Sequence, residues 1–314
     1  MIGGLVAFQY YRDFYGYGST PPQPDWPDQA RVAVSFVLNI EAGAELSVSM
    51  ADERNESVYE IVQEIKGAPD LSMESHFEYE TRIGLWRVLD LFERYDIAIT
   101  VSICARVLEY SPWIGAEIVR RGHEIGCHGY RWEHMANMTE AEERQTIQQT
   151  VSLIEETTGV RPLGWHTRSP SSPRTRSILV EQNFLYDSDA YNDELPYTVE
   201  VLGKSHIVLP YSFDTNDMRF TGRETFRLAQ DFSTYLINSF DWLWEEGAVS
   251  PRMMTVGLHP RIIGRPGRIQ ALKDFLDHIQ QRNQVWVARR DQIARHWQQR
   301  MKRGDIPTQP ILPV

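Results

Sequence analysis

Residues 31 to 38, RVAVSFVL, form an unbroken apolar, largely β-branched run that stops at two polar residues, Asn39 and Glu41. A strand with one wet face alternates apolar and polar residues, whereas a run apolar on both faces suits a strand covered on both sides, as in a parallel sheet. Parallel strands need crossover connections, usually helices. The chain supplies them. RIGLWRVLDLFERY (82–95) places Ile83, Leu85, Trp86, Leu89 and Phe92 mostly on one helical face, and IAITVSI (97–103) follows as a strand. Ser111-Pro112 reads as the cap and first-turn pair of another helix, and HEIGCHG (123–129) as the next strand. Thr139 and Glu142 form a capping box for a helix running to about Thr158, where Gly159 stops it. LGWHT, FLYDS, HIVLP, MMTVGL and VWVA then read as strands, with helices near 173–183, 224–246, 267–281 and 290–303.

Such alternation predicts an α/β fold, either a (β/α) barrel or a doubly wound sheet. The polar residues favour the barrel. Asn39 and Glu41, His128 and Arg131, His166 and Arg168, Asp187 and Asp189, and His259 and Arg261 each follow a predicted strand. In a barrel those strand ends converge on one face, where barrel active sites lie. The expected organisation is one barrel domain over residues 31–300, an N-terminal arm over 1–30 packed on it, and a C-terminal tail over 301–314. The arm contains YGYGSTPPQPDWPDQA, too rich in Pro and Gly for regular structure.

A net charge of −11 argues against a nucleic-acid surface, which depends on clustered Lys and Arg, and leaves a small-molecule substrate as the expected partner. The two cysteines, Cys104 and Cys127, sit in apolar runs and read as buried thiols of a reduced compartment. The start, MIGGLVAFQYYRDF, lacks the basic region and cleavage site of a secretion signal, and no stretch has the ~18 consecutive apolar residues of a membrane span. A cytoplasmic protein with no membrane contact is expected.

The order and content of these segments resemble the polysaccharide-deacetylase superfamily (NodB-homology, carbohydrate esterase 4-like), and within it the metal-independent allantoinases of purine catabolism. The resemblance rests on YGYGSTPPQPDWPDQARVAVSFVLNIEAGAE (15–45), SMESHFEYETRIGLWR (72–87), EIGCHGYRW (124–132), RPLGWHTR (161–168), YDSDAYNDELPY (186–197), PYSFDTNDMRF (210–220) and GLHPRIIGRPGRI (257–269). It implies a distorted (β/α) barrel of about seven strands and a homo-oligomer, a tetramer. It also implies hydrolysis of a cyclic amide, allantoin opening to allantoate. Allantoinases tend to carry Tyr-Thr-Gly-Arg after the tryptophan, where this chain has His166-Thr167-Arg168. Other cyclic imides or hydantoins therefore remain open as substrates, as does a metal-dependent polysaccharide or peptidoglycan deacetylase.

Metal-using members of the superfamily present an aspartate after the first strand and a His-x-x-x-His pair after a later one. Here Asn39 stands at the aspartate position and Trp132 at the second histidine, leaving only His128. The expectation is no metal and no other cofactor. Glu41, a partly buried carboxylate beside a strand end, is the expected leading general base, its pKa expected to rise through burial, with His128 as proton shuttle and His259 as oxyanion partner. Arg131, Arg261 and Arg265 are expected to hold carbonyl oxygens. Trp132 and Trp165 are expected as flat walls, and Asn39, His166 and Arg168 complete the substrate-binding set.

Overall fold

In the computed structural model, described over residues 13–57, 65–221 and 226–306, the run that begins at Val32 is β1 (Val32–Ile40), and all nine of its residues are buried. The first residues of the predicted arm and most of the predicted tail lie outside the described residues. The strands that follow are β2 (Thr100–Ile103), β3 (Glu124–Cys127), β4 (Gly164–Trp165), β5 (Tyr186–Asp187), β6 (Tyr197–Val201), β7 (Lys204–Val208), β8 (Arg252–Leu258) and β9 (Val285–Val287). In the curled sheet β7, β5, β4, β3, β2, β1 and β8 lie side by side, all parallel. The α/β fold is thus the expected distorted barrel with a seven-strand parallel wall. Among the described residues no strand pairing joins β7 to β8. The chain beyond β7 closes that gap through a bridge between Asn216 and Gly257, whose amide donates to Thr215 O at 3.0 Å.

The helices are α1 (Leu71–Tyr79), α2 (Leu85–Arg94), α3 (Val107–Tyr110), α4 (Trp113–Arg120), α5 (Glu140–Thr158), α6 (Thr175–Glu181), α7 (Ala229–Glu246), α8 (Pro260–Ile263), α9 (Pro266–Gln280) and α10 (Arg290–Lys302). α5 has the predicted capping box, and Gly159 ends it at φ 70°. α1 and α2 are joined without a break by a π turn over Glu80–Gly84. That turn alters the helical phase, so Ile83 and Trp86, expected on the inner face, are 47% and 36% exposed, while Leu85, Val88, Leu89 and Phe92 are buried. Ser111 makes no side-chain cap; α4 starts after Pro112, and Ser111 contributes its carbonyl to Ile114 N. β6 was not anticipated from sequence. It forms an antiparallel hairpin with β7 whose turn places Leu202 and Gly203 at φ 53° and 70°, and leucine is not a residue that advertises such a turn.

Period-two alternation along β1 sets up the site. Val32, Val34, Phe36, Leu38 and Ile40 join the core between sheet and helices, where Phe36 meets Phe92 at 5.1 Å and Phe275 at 6.0 Å between ring centroids. The alternate residues, ending in Asn39 and Glu41, turn inward. Below them the barrel is sealed by a second cluster that includes Trp26, Met253, Ile293 and Trp297. Trp26 ties the arm there by donating from Nε1 to Arg252 O at 3.0 Å.

Candidate active site

Because the wall strands are parallel, their C-terminal ends share one rim, and a cavity of about 330 Å³ opens there. That volume suits a small ligand. Glu41, His128, Trp132, His166, Arg168, His259 and Arg261 line it, together with Asn39, His134, Tyr191, Tyr211, Phe213 and Asn216.

Glu41 is at the centre of a buried charge network. His128 Nε2 stands 3.3 Å and His259 Nε2 3.5 Å from Glu41 Oε1, while Arg261 Nη1 stands 2.5 Å from Oε2. Arg261 also approaches Glu80 Oε2 at 3.4 Å, and Glu80 Oε1 accepts from the backbone N–H groups of Glu41 and Ala42 at 2.7 and 3.1 Å. The π turn thus aims a carboxylate at the loop that carries Glu41. Burial does oppose the charge on Glu41, but Arg261, His259 and the contact with His128 outweigh it and hold the carboxyl well below its ordinary range. This reverses the expected rise of its pKa. The rise falls on Glu80 instead, which burial, helped by the nearby Glu41 charge, pushes up to about 7.

His259 follows β8 and is steered by Asp217. Asp217 accepts from His259 Nδ1 and from His259 N, each at 2.7 Å, and from Ile263 N at 3.1 Å. Burial alone would discharge the imidazole, yet the Asp217 and Glu41 carboxylates raise its pKa to about 9, so the ring is a cation at neutral pH. The turn after it is held by close packing: a Cβ on Gly264 would sit 2.2 Å from Pro260 O and 2.7 Å from Gly84 Cα. Asp217 was missed in the sequence because nothing in FDTNDMRF advertises a partner 42 residues away.

His128 stands where β3 ends, and Gly129 at φ 89° turns the chain away behind it. Its Nδ1 is 2.7 Å from His166 O, a group that only accepts. The Nδ1 proton is therefore fixed, and Nε2 is the atom left for the cavity. His166 stacks between His128 and Tyr211, and burial lowers its pKa. Trp132 lines the cavity with the Arg168 guanidinium 3.6 Å above its ring, and Arg168 is clamped by both oxygens of Glu56 at 2.9 and 3.0 Å.

Three expected site residues stand elsewhere. Arg131 pairs with Asp52 through two contacts of 2.5 and 2.7 Å and lines no part of the cavity. Arg265 lies over the Tyr79 ring at 3.5 Å and meets His76 Nδ1 at 3.0 Å. Trp165 is core, its Nε1 donating to Thr167 Oγ1 at 2.7 Å. Strand-end position alone does not say whether a side chain turns in. Asp187 and Asp189 act as supports: the first binds Arg176 and His206, the second Thr167.

The donor set does not fit a catalytic metal. Trp132 offers no ligand atom, Asn39 offers only a neutral amide oxygen, Glu41 already faces a guanidinium, and both ring nitrogens of His259 face carboxylates.

The polysaccharide deacetylase family model matches residues 72–185. A Schizosaccharomyces pombe protein named as a polysaccharide deacetylase is 34% identical over 311 residues, 91% of this chain and 96% of the relative. This chain belongs to the polysaccharide deacetylase family. The crystal structure of Puue allantoinase is 44% identical with a TM-score of 0.89, covering 92% of this chain and 98% of that one. A Pseudomonas aeruginosa PAO1 structure named as a polysaccharide deacetylase is also 44% identical, with a TM-score of 0.88 over 92% and 98% of the two chains. Among the described residues no helix is long and apolar enough to cross a membrane.

Proposed function

We propose that this family member is a hydrolase that opens the C–N bond of a cyclic amide without a metal, with allantoin, converted to allantoate, as the leading substrate. The observation that carries the reading is the Glu41 carboxylate set against His128 Nε2, His259 Nε2 and Arg261, at a rim where Asn39 and Trp132 occupy the positions expected of metal ligands. The 44% identity with Puue allantoinase over 92% of the chain supports the substrate.

In this mechanism a water in the cavity gives a proton to His128 Nε2 while its oxygen attacks the ring carbonyl. Glu41, too weakly basic to take that proton itself, lies 3.3 Å from the same Nε2 and stabilises the imidazolium that forms there. The His259 cation faces the developing oxyanion and then gives its Nε2 proton to the departing nitrogen, whose bond to carbon breaks. The His128 proton passes back to the His259–Glu41 pair, and the net change is addition of one water. Trp132 and Arg168 wall the cavity and limit its water. We further propose a cytoplasmic homotetramer serving purine breakdown.

A second reading, deacetylation of an acetylated glycan, draws on the names of the yeast and Pseudomonas relatives and on the stacked, part-exposed pair Tyr191 and Phe213 beside the cavity. One experiment separates the two. Protein dialysed against a strong chelator is offered allantoin, dihydrouracil, succinimide and an N-acetylglucosamine oligomer. Ring opening that survives chelation is expected; turnover confined to the oligomer and dependent on added Zn²⁺ would reject the reading.

A further inference from the structure

Asn39 lies two residues before Glu41 on the inward face of β1, and the orientation of its amide can be assigned from its neighbours. Nδ2 is 2.9 Å from the Tyr211 hydroxyl and 3.3 Å from Leu258 O. A backbone carbonyl only accepts, so turning the amide over would set two acceptors against each other. The nitrogen end is thereby fixed in the wall. The oxygen end, Oδ1, is buried without a hydrogen-bond partner among the described residues, in a side chain 2% exposed that lines the cavity. Tyr211, pushed up by burial, stays a neutral phenol whose oxygen faces Asn39 Nδ2 and, at 3.5 Å, Asn216 Nδ2. Asn39 Oδ1 is thus a rigid acceptor in the wall that folding leaves unmatched, and a buried acceptor of that kind is matched by a ligand's donor.

We propose that Asn39 Oδ1 is a specificity-determining contact that accepts a hydrogen bond from a substrate N–H near the scissile carbonyl, so that the site takes N-unsubstituted cyclic amides and ureides and rejects those alkylated at that nitrogen. The inference rests on the cyclic-amide reading above and specifies which substrates of that class qualify. A site built to pair with an N–H discriminates strongly against an analogue lacking it, because the buried acceptor is then left unpaired beside a methyl group. An aspartate at this position would also accept, but it would bring a second carboxylate beside Glu41 and lose the donor that Leu258 O requires.

The test uses the full chain with hydantoin and its 1-methyl and 3-methyl derivatives, comparing native protein, Asn39→Ala and Asn39→Asp. In native protein one methyl isomer is expected to fall by about 100-fold in kcat/KM while the other stays near the parent. Asn39→Ala is expected to lower the parent by about 100-fold and leave the poor isomer within about 2-fold of its native value. Asn39→Asp, which keeps an acceptor, is expected to keep the preference for N–H over N-methyl whatever its absolute rate. A loss in Asn39→Ala shared equally by all three compounds, or native turnover indifferent to both methyl groups, overturns the inference. Calorimetric binding of the same compounds reads the acceptor without turnover. Tight binding of the N–H form that Asn39→Ala abolishes upholds Asn39 even if no ring is opened, in which case only the cyclic-amide reading fails. Equal binding of methylated and unmethylated rings, or none, overturns the inference.

Discussion

Among the described residues two arginines are buried inside this barrel, and their surroundings could hardly differ more. Arg261, at the rim, is set against two carboxylates, Glu41 at 2.5 Å and Glu80 at 3.4 Å, beside an open cavity. Arg290, which plugs the barrel below, spreads its guanidinium over neutral acceptors: Ser188 Oγ and Thr255 Oγ1 at 3.0 Å each, Pro210 O at 3.1 Å, and Leu209 O. The lower cation saturates hydroxyls and carbonyls that the irregular closure between β7 and β8 would otherwise strand. The upper one holds an anion charged where solvent and substrate can reach it. A buried charge alone is therefore no signature of function; what distinguishes the rim is charge kept in contact with empty space.

That contrast is open to attack, beginning with the largest effects. Arg290→Met would strip several buried acceptors of their donor at once, and we expect a loss of about 3–5 kcal/mol in urea denaturation, with kcat per folded molecule within about 3-fold of native. His259→Ala should instead lower kcat per folded molecule by about 10³-fold, in addition to the stability lost when Asp217 is left buried without its cation. An Arg290 variant that stays stable yet loses turnover would erase the distinction between the two regions.

Protonation offers a subtler test, because each region holds a carboxyl forced upward by burial: Glu80 at the rim, to about 7, and Glu124 beside the plug, pushed up by burial and by Asp291. A carboxyl whose folded pKa exceeds its unfolded value favours the folded state most below the unfolded value, about 4.5, and that contribution is lost as pH rises through the folded value. Stability should accordingly decline from about pH 4.5 to beyond 7, and Glu80→Gln and Glu124→Gln should each flatten part of the slope. Only Glu80→Gln should also alter turnover, since Glu80 alone fixes the Glu41 loop. For His259, raised from 6.5 to about 9, the favourable contribution is complete below 6.5 and fades through 9, so activity and stability should fall together on that alkaline side. Alkaline loss of stability with turnover unchanged would mean that the His259 cation is not used.

How far the sequence foretold these regions depends on the range of the interactions that made them. β1, the α5 capping box and the strand-end positions of Glu41, His128 and His259 were legible, because strand burial, capping and parallel alternation each leave a local signature. The π turn was not, although it decides where Glu80 points and why Trp86 is partly exposed, since no residue type marks an i→i+5 turn. The charge state of Glu41 was read the wrong way because burial can be guessed locally, whereas the Arg261 guanidinium that outweighs it arrives from the far end of the chain. Asp217 and the plug around Arg290 escaped for the same reason: their partners are distant in sequence and adjacent only after closure.

The smallest effects test that lesson most sharply, because they concern arginines that the sequence assigns to the substrate and the structure places elsewhere. Arg131 and Arg265 carry the same guanidinium as Arg168 and Arg261, yet one is locked to Asp52 and the other lies on Tyr79, both off the cavity wall. Arg131→Ala and Arg265→Ala should each change kcat/KM by less than about 3-fold, with a stability cost near the ~1 kcal/mol of a partly exposed pair. Arg168→Ala should cost more, about 10-fold, since its guanidinium covers the Trp132 face and ties Glu56 to the rim. Should Arg131→Ala fall as far as Arg168→Ala, the cavity wall would have to extend in solution to the Asp52 pair, and the division between groups that touch substrate and groups that brace them would need redrawing at that point.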